Sequence, residues 1–253
     1  MSDGEHAGRV ALVTGAAGGG IGLCTAHELA GQGAAVALNV VSPRRTAEVE
    51  AALQSEFGPR VRGYCFDVTD RTATDEGLDR IARELGPVDI LVNNAAINLL
   101  GRFSEYAPED WDRVIAADCT ACFYLIRKLL PGMLERGRGS IVNVSSVASY
   151  QPGGGLEGAY ASAKAAVNAI TRTVAQEGGP RGVRCNGVAP GLVRTAFIER
   201  HLERLAPQIE RIPLGRMAEP AEIAGVIAFL CSGRASYITG ETLTVSGGLY
   251  MRA

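Results

Sequence analysis

The chain has 253 residues, 47% of them hydrophobic and 21% charged, with a formal net charge of −2. A chain of this length can bury a large core without disulfides, and its near-neutral charge does not indicate nucleic acid or an anionic membrane as a partner. The N-terminus lacks the apolar stretch of a signal peptide, and no apolar run reaches the roughly 18 residues of a membrane span. We therefore expect a cytoplasmic protein in which residues 1–8 are flexible and residues 9–253 form one domain.

Six cysteines and three histidines are scattered along the sequence. Cys119 and Cys122 form a C-x-x-C, but no second cysteine pair or nearby histidine accompanies them, so we expect no metal site. Several of the cysteines lie in apolar or helical patterns, where a free thiol behaves as a small hydrophobic group. We expect the cysteines to be reduced and buried.

Strand-like and helix-like segments alternate along the chain. Strands are predicted at residues 9–14, 35–41, 61–66, 88–93, 140–145, 183–189 and 241–246. Helices are predicted at residues 21–32, 44–57, 72–85, 108–135, 160–177 and 220–231. The early strands are continuously apolar, which is typical of parallel strands covered on both faces. The pattern predicts one α/β domain with a doubly wound, mostly parallel sheet of about seven strands and helices on both faces.

The longest irregular region spans residues 191–216 and contains a predicted helical stretch at 198–209. In doubly wound sheets the ligand lies beyond the carboxyl ends of the strands, and long segments there often cover a site. We expect residues 192–214 to form a substrate lid, with the loop at 150–158 as a second wall. Four apolar lid residues could line the pocket or serve only to pack the helix: Phe197, Ile198, Leu202 and Leu205.

The segment 14–22, with sequence TGAAGGGIG, joins the first strand to the first helix. Glycines allow the backbone to approach a pyrophosphate closely, and a helix N-terminus offers free N–H groups and the positive end of the helix dipole. Because this loop lies between a strand and a helix, it predicts a dinucleotide-binding site.

Tyr160 and Lys164 lie four residues apart at the start of a predicted helix, on one face and one turn apart. A free tyrosine has a pKa of about 10, and a neighbouring ammonium group favours the phenolate and lowers that pKa. Ser146, just after the fifth strand, could hydrogen-bond a substrate carbonyl. Y-x-x-x-K alone is common on surface helices, but beside a glycine loop it indicates an active site.

Taken together, these motifs resemble the short-chain dehydrogenases/reductases over residues 9–248. The loop at Thr14 resembles the family's T-G-x-x-x-G-x-G, residues 93–96 resemble N-N-A-G, and residues 190–195 resemble P-G-x-x-x-T. Ser146 is chosen over Ser145 as the family serine because of the V-S-S-V-A context. The resemblance implies a Rossmann domain, hydride transfer between nicotinamide and a carbonyl or alcohol carbon, and a homotetramer built on the helices at 108–135 and 160–177.

The resemblance also implies which residues form the site. The catalytic residues would be Ser146, Tyr160, Lys164 and Asp118, with the tyrosine as general acid in reduction and the lysine on the nicotinamide ribose. The cofactor-binding residues would include Ser42 and Arg44, which follow the second strand. The full set would be Gly15, Gly19, Gly20, Ile21, Gly22, Ser42, Arg44, Asp67, Val68, Asn94, Ala95, Tyr160, Lys164, Pro190, Gly191, Val193 and Thr195.

Three departures from the family pattern matter. The glycine loop has one extra residue, which leaves open whether Gly18 or Gly19 contacts the phosphates. The loop between Ser146 and Tyr160 is also one residue longer than usual. Asp118 stands where the family usually has an asparagine, which the resemblance implies holds a water in a proton relay to the lysine; an aspartate there could do the same or could cap local backbone.

The choice of cofactor depends on the residues after the second strand. An acidic residue there selects NAD through the ribose 2′-hydroxyl, but this sequence has Val40. Arg44 and Arg45 could meet a 2′-phosphate or be solvated, so NADP(H) is favoured over NAD(H).

We expect an NADPH-dependent ketoreductase acting on a small-molecule carbonyl or alcohol. An NAD-dependent dehydrogenase of sugar, steroid or cyclic alcohols and a non-catalytic dinucleotide sensor are the alternatives. Three arginines could contact an acyl carrier or be merely solvated: Arg136, Arg138 and Arg181.

Overall fold

The computed structural model describes residues 4–17, 20–151 and 155–251, except for the side chain of Phe197. Within them, seven strands form one sheet in the order β3-β2-β1-β4-β5-β6-β7. All six strand pairs are parallel, so the sheet is wholly rather than mostly parallel. The strands are β1 (Val10–Val13), β2 (Ala35–Val40), β3 (Val61–Cys65), β4 (Ile90–Asn93), β5 (Gly139–Val144), β6 (Val183–Pro190) and β7 (Thr242–Val245). This arrangement confirms the predicted doubly wound Rossmann architecture, and the strand order changes direction between β1 and β4, where such folds form a crevice.

The helices follow the strands with boundaries close to those predicted. They are α1 (Ile21–Gly31), α2 (Pro43–Phe57), α3 (Arg71–Glu84), α4 (Pro108–Ile115), α5 (Ala121–Arg136), α6 (Gly158–Gly178), α7 (Ala196–Glu199), α8 (Leu202–Ile209) and α9 (Pro220–Cys231). The predicted long helix at 108–135 is α4 and α5, joined by a π-helical turn at Ala116–Thr120. Single π turns inside helices are frequent at functional sites, and Asp118 lies in this one.

The core has one cluster on each face of the sheet because successive strand residues point to opposite sides. Val13 packs with α1 and α9 on one face, together with buried Ile223. Leu12 packs on the other face with α5 and α6, together with buried Leu125. All four residues of β1 are buried, which is the burial that the continuously apolar strands predict.

Two further predictions concern the N-terminal segment and the cysteines. The flexibility of residues 1–8 stays a prediction, although His6 is fully buried and its backbone N–H donates to Gln32 O at 2.9 Å. None of the six cysteines is paired, but the expectation that all are buried is wrong for Cys65, which is exposed, and for Cys24 and Cys119, which are only half-buried. Cys65 ends β3, an edge strand of the sheet.

The helix predicted at 198–209 is interrupted. The N–H of His201 donates back to Ile198 O at 2.9 Å, a tight turn that ends α7 before α8 begins. Leu205 is buried at 3% exposure, whereas Leu202 is exposed, so these two residues do not share one role. Among the described residues, no helix is long and apolar enough to cross a membrane.

Candidate active site

A cavity of about 660 Å³ opens at the carboxyl edge of the sheet, between the loops after β1 and β4, the ends of β5 and β6, and the lid. It gathers most of the predicted site residues on its walls: Gly15, Gly20, Ile21, Gly22, Asn94, Ala95, Ser146, Tyr160, Lys164, Pro190, Gly191, Val193 and Thr195. The segment 192–214, predicted to be a lid, contributes eight lining residues among those described: Leu192, Val193, Thr195, Ala196, Ile198, Arg200, Gln208 and Arg211. The side chain of Phe197 lies outside the described part of the chain, so its predicted role stays a prediction. Of the apolar lid residues considered above, Ile198 lines the cavity, whereas Leu202 and Leu205 do not.

Four predicted cofactor residues lie away from this cavity. The Ser42 hydroxyl caps α2 by accepting the Arg45 N–H, and the Arg44 side chain is 82% exposed with Nη1 3.4 Å from Glu48 Oε1. Asp67 Oδ1 accepts the N–H and hydroxyl of Thr69, and Val68 is buried. β2 and β3 are neighbouring parallel strands, so Ser42 and Asp67, which follow them, belong to the same sheet edge as the glycine loop.

The described part of the glycine loop shows why glycine is needed. Gly15 has a φ of 67°, and a Cβ there would lie 2.8 Å from Ala95 Cα. A Cβ on Gly22 would lie 2.5 Å from Asn94 Nδ2. No side chain of the described residues caps the first turn of α1, which leaves its N–H groups available to a ligand. Gly18 and Gly19 lie outside the described residues, so their roles stay predictions.

Thr14 joins the loops that follow β1 and β4, a role that sequence reasoning missed. Its hydroxyl donates to Val92 O at 3.3 Å and accepts the backbone N–H groups of Asn94 and Ala95, both at 3.0 Å. The Asn94 side chain in turn donates to Thr14 O at 2.8 Å and to Gly15 O at 3.2 Å. A threonine directly after a buried apolar strand was the available signal.

Ser146, Tyr160 and Lys164 come together on one wall of the cavity. The Ser146 hydroxyl lies close enough to the Tyr160 phenol to lower its pKa, and Lys164 Nζ lies 5.4 Å from the centre of the Tyr160 ring. Ser145 is fully turned inward at 1% exposure and donates to Lys164 O at 3.2 Å. Of the two serines, therefore, Ser146 is the one beside the tyrosine hydroxyl.

Lys164 is buried at 2% exposure and is held from two further sides. Its Nζ donates to Val144 O, at the end of β5, at 3.0 Å. Asp118 Oδ2 lies 3.4 Å from the same Nζ, an ion pair whose angles fall short of a hydrogen bond. Asp118 Oδ1 accepts the N–H of Ile97 at 2.8 Å, so the carboxylate both contacts the lysine and fixes the loop after β4. Asp118, Lys164 and Val68 also border a small cavity of about 10 Å³ behind the main one.

Burial and charge shift the pKa values of these groups. Burial raises the pKa of Tyr160 above its ordinary value; Lys164 and the nearby Ser146 hydroxyl lower it in part, whereas Asp118 and Glu157 raise it further. Burial lowers the pKa of Lys164, but Asp118, Tyr160 and Cys122 raise it by more. Burial raises the pKa of Asp118, against the lowering effects of Lys164 and the Ile97 N–H. Lys164 therefore lowers the pKa of Tyr160, as the sequence predicts, but burial raises that pKa by more.

The three arginines that could contact an acyl carrier make contacts within the protein. Arg136 and Arg138 both pair with the buried carboxylate of Asp89, at 3.6 and 3.1 Å. Arg181 donates to Leu134 O at 3.1 Å. Their contacts anchor the ends of α5 and α6 and give these three residues a structural role.

Comparison with known proteins agrees with this geometry. A family model described as enoyl-(acyl carrier protein) reductase matches residues 15–250. The chain is 40% identical over 249 residues to 3-oxoacyl-[acyl-carrier-protein] reductase of Vibrio cholerae, and 39% identical over 245 residues to acetoacetyl-CoA reductase of Rhizobium meliloti. Each match covers 96% of this chain and 98% of the relative.

Two solved structures superpose closely. A 3-oxoacyl-[acyl-carrier protein] reductase from Brucella melitensis with bound NAD has a TM-score of 0.91 and 35% identity, with 98% of this chain and 93% of the other covered. L-sorbose reductase from Gluconobacter frateurii, complexed with NADPH and L-sorbose, has a TM-score of 0.92 and 32% identity, with both chains fully covered. The fold and the matches define an oxidoreductase that acts on carbonyl or alcohol groups. The chain belongs to the short-chain dehydrogenase/reductase family.

Proposed function

We propose that this protein is an NADPH-dependent ketoreductase, which reduces the keto group of a small molecule to a secondary alcohol. The observation that carries the proposal is the Tyr160 side chain on the cavity wall, with Ser146 on the same wall and the Lys164 ammonium 5.4 Å from its ring centre. The relatives named 3-oxoacyl and acetoacetyl reductases support a 3-oxoacyl thioester as the first substrate to test.

The residues at the sheet edge fit a dinucleotide. The backbone around Gly15 and Gly22 is packed so closely that a Cβ would meet Ala95 or Asn94, and the uncapped start of α1 leaves N–H groups for a phosphate. Gly20, Ile21 and Thr195 line the same part of the cavity. In this proposal Asn94, Pro190 and Gly191 hold the nicotinamide end, and Ser42, Arg44, Asp67 and Val68 hold the adenosine end.

The bound cofactor would supply the hydride and, when oxidised, a positive charge near the tyrosine. Ser146 donates a hydrogen bond that orients the substrate carbonyl, and Tyr160 gives its phenolic proton to the carbonyl oxygen as the alcohol forms. Lys164 stabilises the resulting phenolate electrostatically, since its ammonium lies 5.4 Å from the ring centre. Asp118 and Val144 O fix the position of that ammonium.

The preference for NADP(H) rests on the end of β2. Val40 is buried there, so no carboxylate is available to bind a ribose 2′-hydroxyl, and Val41 is exposed. Arg44 is exposed and paired only with Glu48 on the helix surface, an arrangement that leaves its guanidinium able to bind a 2′-phosphate. An NAD-dependent alcohol dehydrogenase is the second candidate, favoured by polar residues on the cavity wall such as Gln151 and Gln208.

We also propose that the enzyme is a cytoplasmic homotetramer built on the α4–α5 and α6 helices. Phe123 of α5 supports this assembly because its large apolar side chain is half exposed in the single chain.

A steady-state assay tests the proposed function. The purified protein, given acetoacetyl-CoA and either NADPH or NADH, should oxidise the cofactor, and kcat/KM should be higher with NADPH. A second series should follow NAD⁺ and NADP⁺ reduction with sugar, steroid and cyclic alcohols. A preference for NADH together with alcohol oxidation would favour the dehydrogenase, whereas no turnover of any ketone or alcohol would leave a cofactor-binding sensor.

Asp118→Asn should move the pH dependence of alcohol oxidation to lower pH while preserving activity. The carboxylate raises the pKa of Tyr160, so its removal lowers that pKa. In oxidation the phenolate is the base, and activity rises as the pH increases through this pKa; the rising limb therefore shifts downwards. Asparagine retains an oxygen to accept the Ile97 N–H, which should preserve the fold.

The measurement is the pH profile of kcat/KM for both proteins. Asp110→Asn is the matched control, since Asp110 lies on α4 and pairs only with Arg113 at the surface. An unchanged profile in the Asp118 variant, or loss of folding, would leave Asp118 with a backbone-fixing role alone.

A further inference from the structure

We propose that Arg200 and Arg211 of the lid bind an anionic group, a carboxylate or a phosphate, which the substrate carries away from its reacting carbonyl. The inference rests on the proposed ketoreductase function, because it concerns another wall of the same cavity. Both arginines line the cavity from the lid, whereas Ser146 and Tyr160 line it from β5 and α6.

Arg200 and Arg211 differ from the neighbouring arginines in their ion pairs. Arg194 and Arg216 do not line the cavity, and each is neutralised, by Glu219 at 2.9 Å and Glu222 at 2.7 Å. Within the described part of the chain, Arg200 and Arg211 have no carboxylate within ion-pair distance. Arg200 Nε donates to Ala196 O at 3.0 Å, which orients the guanidinium and leaves both Nη groups unused by the described residues.

The remaining charged residues on the cavity wall determine where a substrate anion can bind. Lys164 is already paired with Asp118 and is buried behind the tyrosine, so it is not open to a substrate anion. Glu157 is the one acidic residue among the described lining residues, and it lies close enough to Tyr160 to raise the pKa of the phenol. A substrate anion is therefore attracted to Arg200 and Arg211 rather than to Lys164, which fixes the orientation of the bound molecule.

The backbone that carries Arg211 is held in place. Its N–H donates to Gln208 O at 3.2 Å, and the next residue, Ile212, is buried at 4% exposure. Two residues further on, the Leu214 N–H donates to Gly247 O at 3.1 Å. A guanidinium on such an anchored turn can bind a carboxylate or phosphate through two parallel hydrogen bonds at a small ordering cost.

Two pairs of ketones test the proposal and distinguish the two anions. The first pair is 5-oxohexanoate and its methyl ester, and the second is acetoacetyl-phosphopantetheine and acetoacetyl-pantetheine. The proteins are the wild type, the double variant Arg200→Ala/Arg211→Ala, and Arg204→Ala as a matched control. Arg204 lies on α8, is exposed and does not line the cavity.

In at least one pair, the wild type should reduce the anionic member with a kcat/KM about tenfold higher or more, an effect of the size of one charge-assisted hydrogen bond. The double variant should remove this preference through KM and leave the neutral member nearly unchanged, whereas Arg204→Ala should keep it. Equal rates within both pairs, or an equal loss for both members, would overturn the proposal while the ketoreductase function stands. Absence of turnover with all four ketones would overturn the proposed function and this inference with it.

Discussion

Tyr160→Phe should reduce turnover by about 10²- to 10⁴-fold, the range that a positioned acid–base group contributes. The substitution removes the hydroxyl, the group that would give its proton to the substrate. The aromatic ring stays, and so does its contact with the Lys164 ammonium at 5.4 Å. The loss should therefore appear in kcat with an anionic or a neutral ketone alike, because proton transfer is the step affected.

Cofactor binding should survive in this variant, because the phenol forms only part of the cofactor wall. Fluorescence titration with NADPH measures that binding separately from turnover. Tyr106→Phe is the matched control: Tyr106 donates to Leu99 O at 2.7 Å and does not line the cavity, so its loss should affect stability and not chemistry. Turnover of Tyr160→Phe within tenfold of wild type would refute the assignment of the acid.

Lys164→Met should remove both turnover and a large part of the folding free energy. The lysine and Asp118 are each 2% exposed, so the variant leaves a buried carboxylate without its cation. Breaking a buried pair in this way costs about 3–5 kcal/mol. The phenolate also loses its nearest positive charge, so activity should fall even where the protein remains folded.

A second substitution separates these two effects. Lys164→Met/Asp118→Asn removes the stranded charge and should recover most of the stability without recovering turnover. Denaturant unfolding of the single and double variants measures the first, and assays under folding conditions measure the second. Equal stability of Lys164→Met and the wild type would show that the pair does not hold this region together.

The stability of Lys164→Met should also depend on pH in a defined direction. Burial already raises the pKa of Asp118 in the wild type, and removal of the lysine raises it further. The folded variant therefore binds a proton that the unfolded chain releases, over the interval between the unfolded and folded pKa values of Asp118. Stability falls as the pH rises through that interval and is greatest below it.

The sequence predicts the sheet well because one physical cause dominates there. Buried parallel strands need apolar residues on both faces, and the central strands β1 and β4, which are buried throughout, carry that pattern. The helix at 198–209 was less predictable because its apolar spacing does not reveal the turn at His201. Cys65 shows a related limit, since the local sequence does not say that β3 lies at the sheet edge.

The candidate site likewise has residues that the sequence reveals and partners that only the fold reveals. Tyr160, Lys164 and Gly15 could be found because each belongs to a short segment with fixed spacing. The partners that position them are contributed by distant segments: Val144 O bonds the lysine, and the Ile97 N–H bonds Asp118. That Arg211 has no carboxylate partner in the described part of the chain was also beyond sequence reasoning, because glutamates lie on both sides of it and only the fold decides which arginine each one meets.

The hydroxyl of Thr14 has a mechanical consequence. It uses its single proton and both lone pairs at once, on Val92, Asn94 and Ala95, and the Asn94 amide returns two bonds to the backbone of residues 14 and 15. Residues 14 and 15, where the loop that would hold the phosphates begins, are therefore tied to residues 92–95, where the loop that leads to Ile97 begins. Opening at this junction breaks bonds of both loops at once, so we expect the two ends of the site to loosen and tighten together.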